Sequence, residues 1–202
     1  YTTCGVSPND IPSTKNEIDR ELEQIKILAE QNDKVLAIGE IGLDYHWNTE
    51  NKELQHYAFK KQIEIANTLG LPIMIHTRDA IMDTIDIIKN TDFVRPGIFH
   101  CCPFNKDLVK AGLNKNFYIS FAGTVTFKSS KNAEEIVKLV PLDKILIETD
   151  SPYLSPEPNR GKRNDSRNVI YIAQKVANFK EMDIEKIAEI TYQNAKNAFG
   201  MN

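Results

Sequence analysis

The feature that most constrains this fold is a regular alternation. Short apolar runs, rich in β-branched and aromatic residues, are separated by stretches of helical periodicity. The runs are Tyr1–Val6, Val35–Glu40, Pro72–His76, Gly97–His100, Phe117–Ser120 and Ile145–Glu148. Near-continuous hydrophobicity suits strands covered on both faces, as in a parallel sheet. Between them, Thr14 and Glu17 form a capping-box pattern, followed by an apolar stripe of Ile18, Leu22, Ile25 and Leu28. Leu54, Ala58, Ile65 and Leu69 stripe a second helix, which Gly70-Leu71-Pro72 ends. Ile81, Ile85 and Ile88 stripe a third, and Ala133, Ile136, Val137 and Val140 a fourth. Two final helices are expected over Arg167–Phe179 and Asp183–Phe199. Repeated βα units of this kind build α/β folds around a parallel sheet.

Two architectures fit, an open doubly wound sheet and a closed barrel. No Gly-x-Gly-x-x-Gly follows any of the runs, which weakens the dinucleotide-binding alternative. Polar residues stand instead at the C-terminal ends of several runs, where barrel enzymes place their chemistry. The chain therefore reads as a single α/β domain over residues 1–202, a (β/α)8 TIM-type barrel. A full barrel takes about 250 residues, whereas six runs occupy these 202. The expectation is that the first two βα units precede Tyr1, which opens a strand-like run without an initiating Met.

Composition narrows the class further. With 26% charged and 41% hydrophobic residues, the chain is ordinary for a soluble protein. No apolar run approaches the roughly 20 residues of a membrane span. Cys4, Cys101 and Cys102 are three in number, two of them adjacent. This is no disulfide framework and suggests a reducing cytoplasm. A net charge of −3 argues against nucleic-acid binding by bulk charge. Such a substrate would need local cations or metal ions.

Four strands are expected to finish on metal-ligand residue types: Glu40, His76, His100 and, at the end of Ile-Leu-Ile-Glu-Thr-Asp, Asp150. One such residue is ordinary, but four at equivalent positions converge on one barrel mouth. Carboxylates offer anionic oxygens, and neutral imidazole suits zinc, iron and manganese. A carboxylate can also bridge two ions about 3.5–4 Å apart. His46, in the loop after the first motif, is a candidate for the mouth. His56, on a polar helix face, reads as a solvated side chain. Cys101 and Cys102 read as inert thiols. Arg78 follows His76, and Arg160, Lys162, Arg163 and Arg167 follow the last run, a pattern that fits a phosphate-binding rim. Asp79 reads as a helix N-cap.

Several blocks taken together resemble the TatD-type metal-dependent deoxyribonucleases, a branch of the amidohydrolase-like barrels. They are Ala37–Tyr45 (Ala-Ile-Gly-Glu-Ile-Gly-Leu-Asp-Tyr), Ile75–Ala80 (Ile-His-Thr-Arg-Asp-Ala), Phe99–Cys101, Glu148–Leu154 (Glu-Thr-Asp-Ser-Pro-Tyr-Leu) and Arg160–Asn164. The resemblance implies two divalent ions (Mg, Mn or Zn) and phosphodiester hydrolysis, with exonuclease activity on DNA at single-stranded or frayed ends. Glu40 would bridge the ions and His76 and His100 would hold one. Asp150 would hold the other and orient or deprotonate the attacking water, which makes Asp150 and Glu40 the catalytic pair. Tyr45 joins Arg78, Arg160 and Arg163 as substrate-contacting candidates. No membrane and no obligate protein partner are implied. The family's His-x-His pair on its first strand has no counterpart here. The sequence also departs from the family at Gly5-Val6-Ser7-Pro8, at Cys101-Cys102-Pro103-Phe104 and at Asp165-Ser166, all of which bear on substrate preference. The same ligands would serve ester or amide hydrolysis, as in aminoacyl-tRNA deacylation. A non-catalytic scaffold on the same fold is a third expectation.

Overall fold

A computed structural model describes residues 1–47 and 49–201. Six strands form one parallel sheet: β1 (Thr2–Cys4), β2 (Val35–Asp44), β3 (Ile73–Arg78), β4 (Ile98–Phe99), β5 (Tyr118–Phe121) and β6 (Ile145–Ile147). Each pairs with the next in sequence order, with β1 and β6 at the edges. A doubly wound sheet reverses its strand order at a switch point. This sheet never does, so it follows the curvature of a β/α barrel. All six expected strands are present.

The helices are α1 (Lys15–Gln31), α2 (Lys52–Leu69), α3 (Ile81–Lys89), α4 (Lys106–Asn114), α5 (Ala133–Leu139), α6 (Val169–Lys180) and α7 (Ile184–Phe199). The Thr14 hydroxyl accepts the Glu17 N–H at 3.3 Å and donates to the Glu17 carboxylate at 2.9 Å, so the expected cap forms. Gly70 ends α2 in the left-handed region at φ 64°, its N–H turned back to the Asn67 carbonyl. α4 was not anticipated. Its Asn105 side chain caps the N–H groups of Asp107 and Leu108, and Leu108 and Val109 are buried beneath it.

The main core runs between sheet and helices, with Phe59, Phe99, Phe117 and Phe121 among its largest buried side chains. α7 lays Ala195, Ala198 and Phe199 against Ile98, Tyr118 and Leu146, one residue each from β4, β5 and β6. α2 is located by two buried amides. Gln62 accepts the Val6 N–H at 2.7 Å and donates to the Val6 carbonyl at 3.0 Å. Gln55 does the same for Asp44, at 2.8 and 2.9 Å. Each amide satisfies both backbone groups of one residue that would otherwise be buried without partners.

Candidate metal centre

Glu40 owes its position to an irregularity in β2. Between the pairs Ile38–Ile73 and Ile41–Ile75, three steps of β2 face two of β3. An extra residue of this kind bends the strand and re-aims its side chain. Two glycines permit it. A Cβ on Gly39 would lie 2.6 Å from that of Met74, and one on Gly42, at φ 138°, would lie 2.0 Å from the His76 carbonyl oxygen. The Gly-Glu-Ile-Gly pattern thus lets β2 press against the backbone that carries His76. Glu40 therefore lies inside a strand that runs on through Asp44, and His76 inside one that runs on through Arg78. This corrects the expectation that both end their strands.

His100 directly follows β4, its N–H fixed on the Ile75 carbonyl at 3.0 Å. Asp150 lies beyond β6, in the left-handed region at φ 54°, which aspartate tolerates better than most residues. Glu40, His76 and His100 come together, with one ligand atom from each lying within 4.8 Å of the others. Glu40 presents Oε1 to His76 Nδ1 at 3.0 Å and Oε2 to His100 Nε2 at 3.6 Å. Asp150 joins from the far side, with Oδ1 3.6 Å from the same His100 Nε2. This donor set, two imidazoles with two carboxylates, fits a divalent transition ion.

Both imidazoles are held from behind. His76 Nε2 lies 3.1 Å from Asp44 Oδ2, and His100 Nδ1 lies 2.7 Å from Glu148 Oε2. A carboxylate on the far ring nitrogen fixes the tautomer and raises the basicity of the ligating one. The second oxygen of Glu148 accepts the Cys101 N–H. Asp44 is buried and also accepts the His46 N–H and the Asn9 side-chain amide. Neither carboxylate was singled out from the sequence. Their only signal was adjacency, Asp44 in the block after Glu40 and Glu148 two residues before Asp150.

The electrostatics follow from this packing. Burial pushes the Glu40 carboxyl up, but the hydrogen bond from His76 and the charge of His100 outweigh it and hold the group below its ordinary value. Burial pushes the His100 imidazole down. The Glu148 hydrogen bond and the charges of Glu148, Glu40 and Asp150 reverse this and lift it to about 9. Asp150 is raised, by burial first and then by Glu148 and Glu40 against the opposing pull of His100.

The substrate candidates stand on the segments that follow the ligand residues in sequence. Arg78 is exposed at the end of β3, its guanidinium 5.5 Å from the centre of the Trp47 ring. Arg160 and Arg163 are exposed in the segment after β6, with Arg160 over the Phe127 ring at 4.2 Å. Tyr45 is buried, its hydroxyl donating to Asp83 Oδ2 at 2.6 Å and lying 2.6 Å from His56 Nε2. His56 is therefore half-buried and partnered across α2 and α3, not the solvated side chain expected. His46 is exposed and pairs with Asp79 at 3.1 Å. Asp79 is not a cap; the helix begins after Ala80, with no side-chain capping bond. Cys101 and Cys102 are both pushed up by burial, in keeping with inert thiols.

A barrel-type parallel sheet whose strands bring two imidazoles and two carboxylates together defines the class of metal-dependent hydrolases. Residues 1–200 match the family model described as TatD related DNase, and the chain belongs to the TatD family of metal-dependent hydrolases. It is 44% identical to the uncharacterized metal-dependent hydrolase YabD of Bacillus subtilis, over 100% of this chain and 78% of that one. It is 38% identical to the uncharacterized metal-dependent hydrolase YcfH of Escherichia coli K12, over 98% of this chain and 72% of that one. The crystal structure of YjjV, a TatD homologue from Escherichia coli, superposes with a TM-score of 0.92 at 23% identity, over 100% of this chain and 77% of that one. That likeness is one of fold.

Proposed function

We propose that the protein hydrolyses phosphodiester bonds of DNA, entering at single-stranded or frayed ends. The carrying observation is the Glu40–His76–His100 group, braced by Asp44 and Glu148, with Arg78 exposed at the end of the strand that bears His76. The family description, TatD related DNase, supports the same reading. Glu40, His76 and His100 would hold one divalent ion, and Glu40 with Asp150 would contribute to a second, whether Mg, Mn or Zn. Ions bound there supply a water of lowered pKa and neutralise charge on the phosphoryl oxygens.

The chain's own groups do the rest. Asp150, its Oδ1 3.6 Å from His100 Nε2, would take the proton of the attacking water. Arg78, Arg160 and Arg163 donate to non-bridging phosphate oxygens and set the backbone's path. The three cysteines are unpaired, which suits a cytoplasmic protein. Among the described residues no helix is long and apolar enough to cross a membrane. The test is turnover of a single-stranded oligonucleotide against an aminoacyl ester, with and without added Mg or Mn. Metal-dependent release of nucleotides is expected. Hydrolysis of the ester alone would overturn the reading.

A further inference from the structure

We infer that Trp47, on the loop after the strand that carries Glu40, and Tyr153, on the loop after Asp150, are base-stacking residues that grip the unpaired bases of the substrate strand. The inference rests on the phosphodiesterase reading and specifies how that substrate is gripped. Large exposed aromatic side chains are few. Tyr171 and Tyr192 sit on α6 and α7, and Tyr1 on the first residue. The other two, Trp47 at 70% exposure and Tyr153 at 71%, both lie on loops that follow strands of the sheet at their C-terminal ends. Trp47 follows β2, which carries Glu40, and Tyr153 follows Asp150 beyond β6.

Neither loop is loose at its root. Asp44 accepts the His46 N–H at 2.8 Å through Oδ1 while Oδ2 holds His76, so one buried carboxylate fixes both a ligand and the base of the Trp47 turn. The Tyr153 N–H donates to the Asp150 carbonyl at 2.9 Å, and its own carbonyl accepts from the buried Asn164 amide at 2.6 Å. Both rings are thus tied to the metal centre through short backbone paths. Cations accompany both. Arg78 lies over the Trp47 ring and, with Lys52, lines the adjoining cleft, while Arg163 lines the surface beside Ser151 and Pro152. His46 stands nearly perpendicular to the Trp47 ring, the two ring centres 4.8 Å apart. Exposed aromatic faces interleaved with cations are how proteins hold single strands without reading sequence, because every base has a π-face. They also answer the charge problem. A chain of net charge −3 cannot attract a polyanion by its overall field, but stacking does not depend on net charge.

Trp47 is the only tryptophan, so its emission reports on this site alone. The experiment uses the metal-loaded protein with two oligonucleotides of equal length, dT12 and the same backbone carrying abasic residues. dT12 should quench the emission and the abasic strand should not. In cleavage assays the wild type should favour dT12 over the abasic strand in kcat/KM. Trp47→Ala should reduce that preference about tenfold, mainly through KM, Trp47→Phe should restore most of it, and Tyr153→Ala should reduce it by a smaller factor. Wild-type preference retained in both alanine variants would overturn the inference and leave the phosphodiesterase reading standing. Quenching by dT12 without cleavage of either strand would support stacking and overturn that reading. Neither quenching nor cleavage would overturn both.

Discussion

The two sides of the metal centre are built differently. On one side Glu40 and His76 sit inside long, paired strands, and His100 is locked into the ladder by its N–H. Each histidine there has a carboxylate behind it. On the other side Asp150 stands in a turn beyond a three-residue strand, and Arg160 and Arg163 lie in a segment of turns. An asparagine ladder holds that segment: Asn159 bonds Asn168 and Asn168 bonds Asn164, which donates to the Thr149 and Tyr153 carbonyls. Ligands on strands are held more precisely than groups on loops. The strand side is therefore suited to holding an ion at fixed geometry, and the loop side to acting on whatever arrives.

If so, substitutions on the strand side should act first on metal content and those on the loop side first on turnover. The largest effect should come from Glu40→Ala. Its two oxygens face both histidines, so total bound metal should fall further than in His76→Ala, and activity should be lost with it. Elemental analysis after gel filtration checks this, and equal metal loss in the two variants would break the comparison. Asp150→Asn comes next. It should lower kcat by about 10²–10⁴-fold, the usual range for loss of a general base, while retaining more metal than Glu40→Ala. Asp44→Asn and Glu148→Gln should then weaken metal affinity by roughly 10–100-fold, as outer carboxylates do, measurable by titration with a chromophoric chelator. Arg78→Ala should cost on the order of 1.5–3 kcal/mol of transition-state binding, or about tenfold or more in kcat/KM, with its Tm within a few degrees because the side chain is exposed.

The smallest effect concerns pH in the EDTA-treated protein. The His100 imidazole is raised to about 9 in the fold, against about 6.5 when unfolded. A raised folded value contributes stability that is complete below about 6.5 and is lost as pH rises through about 9. The metal-free protein should therefore show a Tm falling by a few degrees between pH 6.5 and 9.5, with the slope reduced in His100→Gln. Bound metal should flatten it, because the ion competes with that proton.

The strand side was the more legible from sequence. The strands were recognisable because most of them are short runs of buried apolar and β-branched residues, the edge strand Thr2–Cys4 being partly exposed. The same property hid where β2 stops. Glu40 looked like an end because it is the first charge in the run, yet Ile41-Gly42-Leu43-Asp44 continues the strand past a bulge that no periodicity announces. Glu40, His76 and His100 could be picked out as a group because each is a metal-ligand residue type within or directly after a buried strand, and the structure brings these three together. Asp44 and Glu148 could not, because their role depends on which way an imidazole ring turns. His56 looked solvated because its partners, Tyr45 and Asp83, come from other elements. α4 was overlooked because its buried Leu108 and Val109 are too few to set a period.

The two glutamines of α2 carry a consequence for how this fold can change over evolutionary time. Seven positions apart, Gln55 and Gln62 lie on one face of the helix and read the backbone at Asp44 and at Val6 as a key reads two wards of a lock. A one-residue insertion between them would swing one amide about 100° around the helix and strand the backbone it serves. The turn that bears Trp47 lies outside that span; at its end Asn51 accepts from the Gln55 amide at 2.8 Å, so a change of length there must keep Asn51 in place. Related sequences should accordingly hold the Gln–Gln spacing fixed while the loop that bears Trp47 varies, so that substrate preference can drift over a metal centre that does not move.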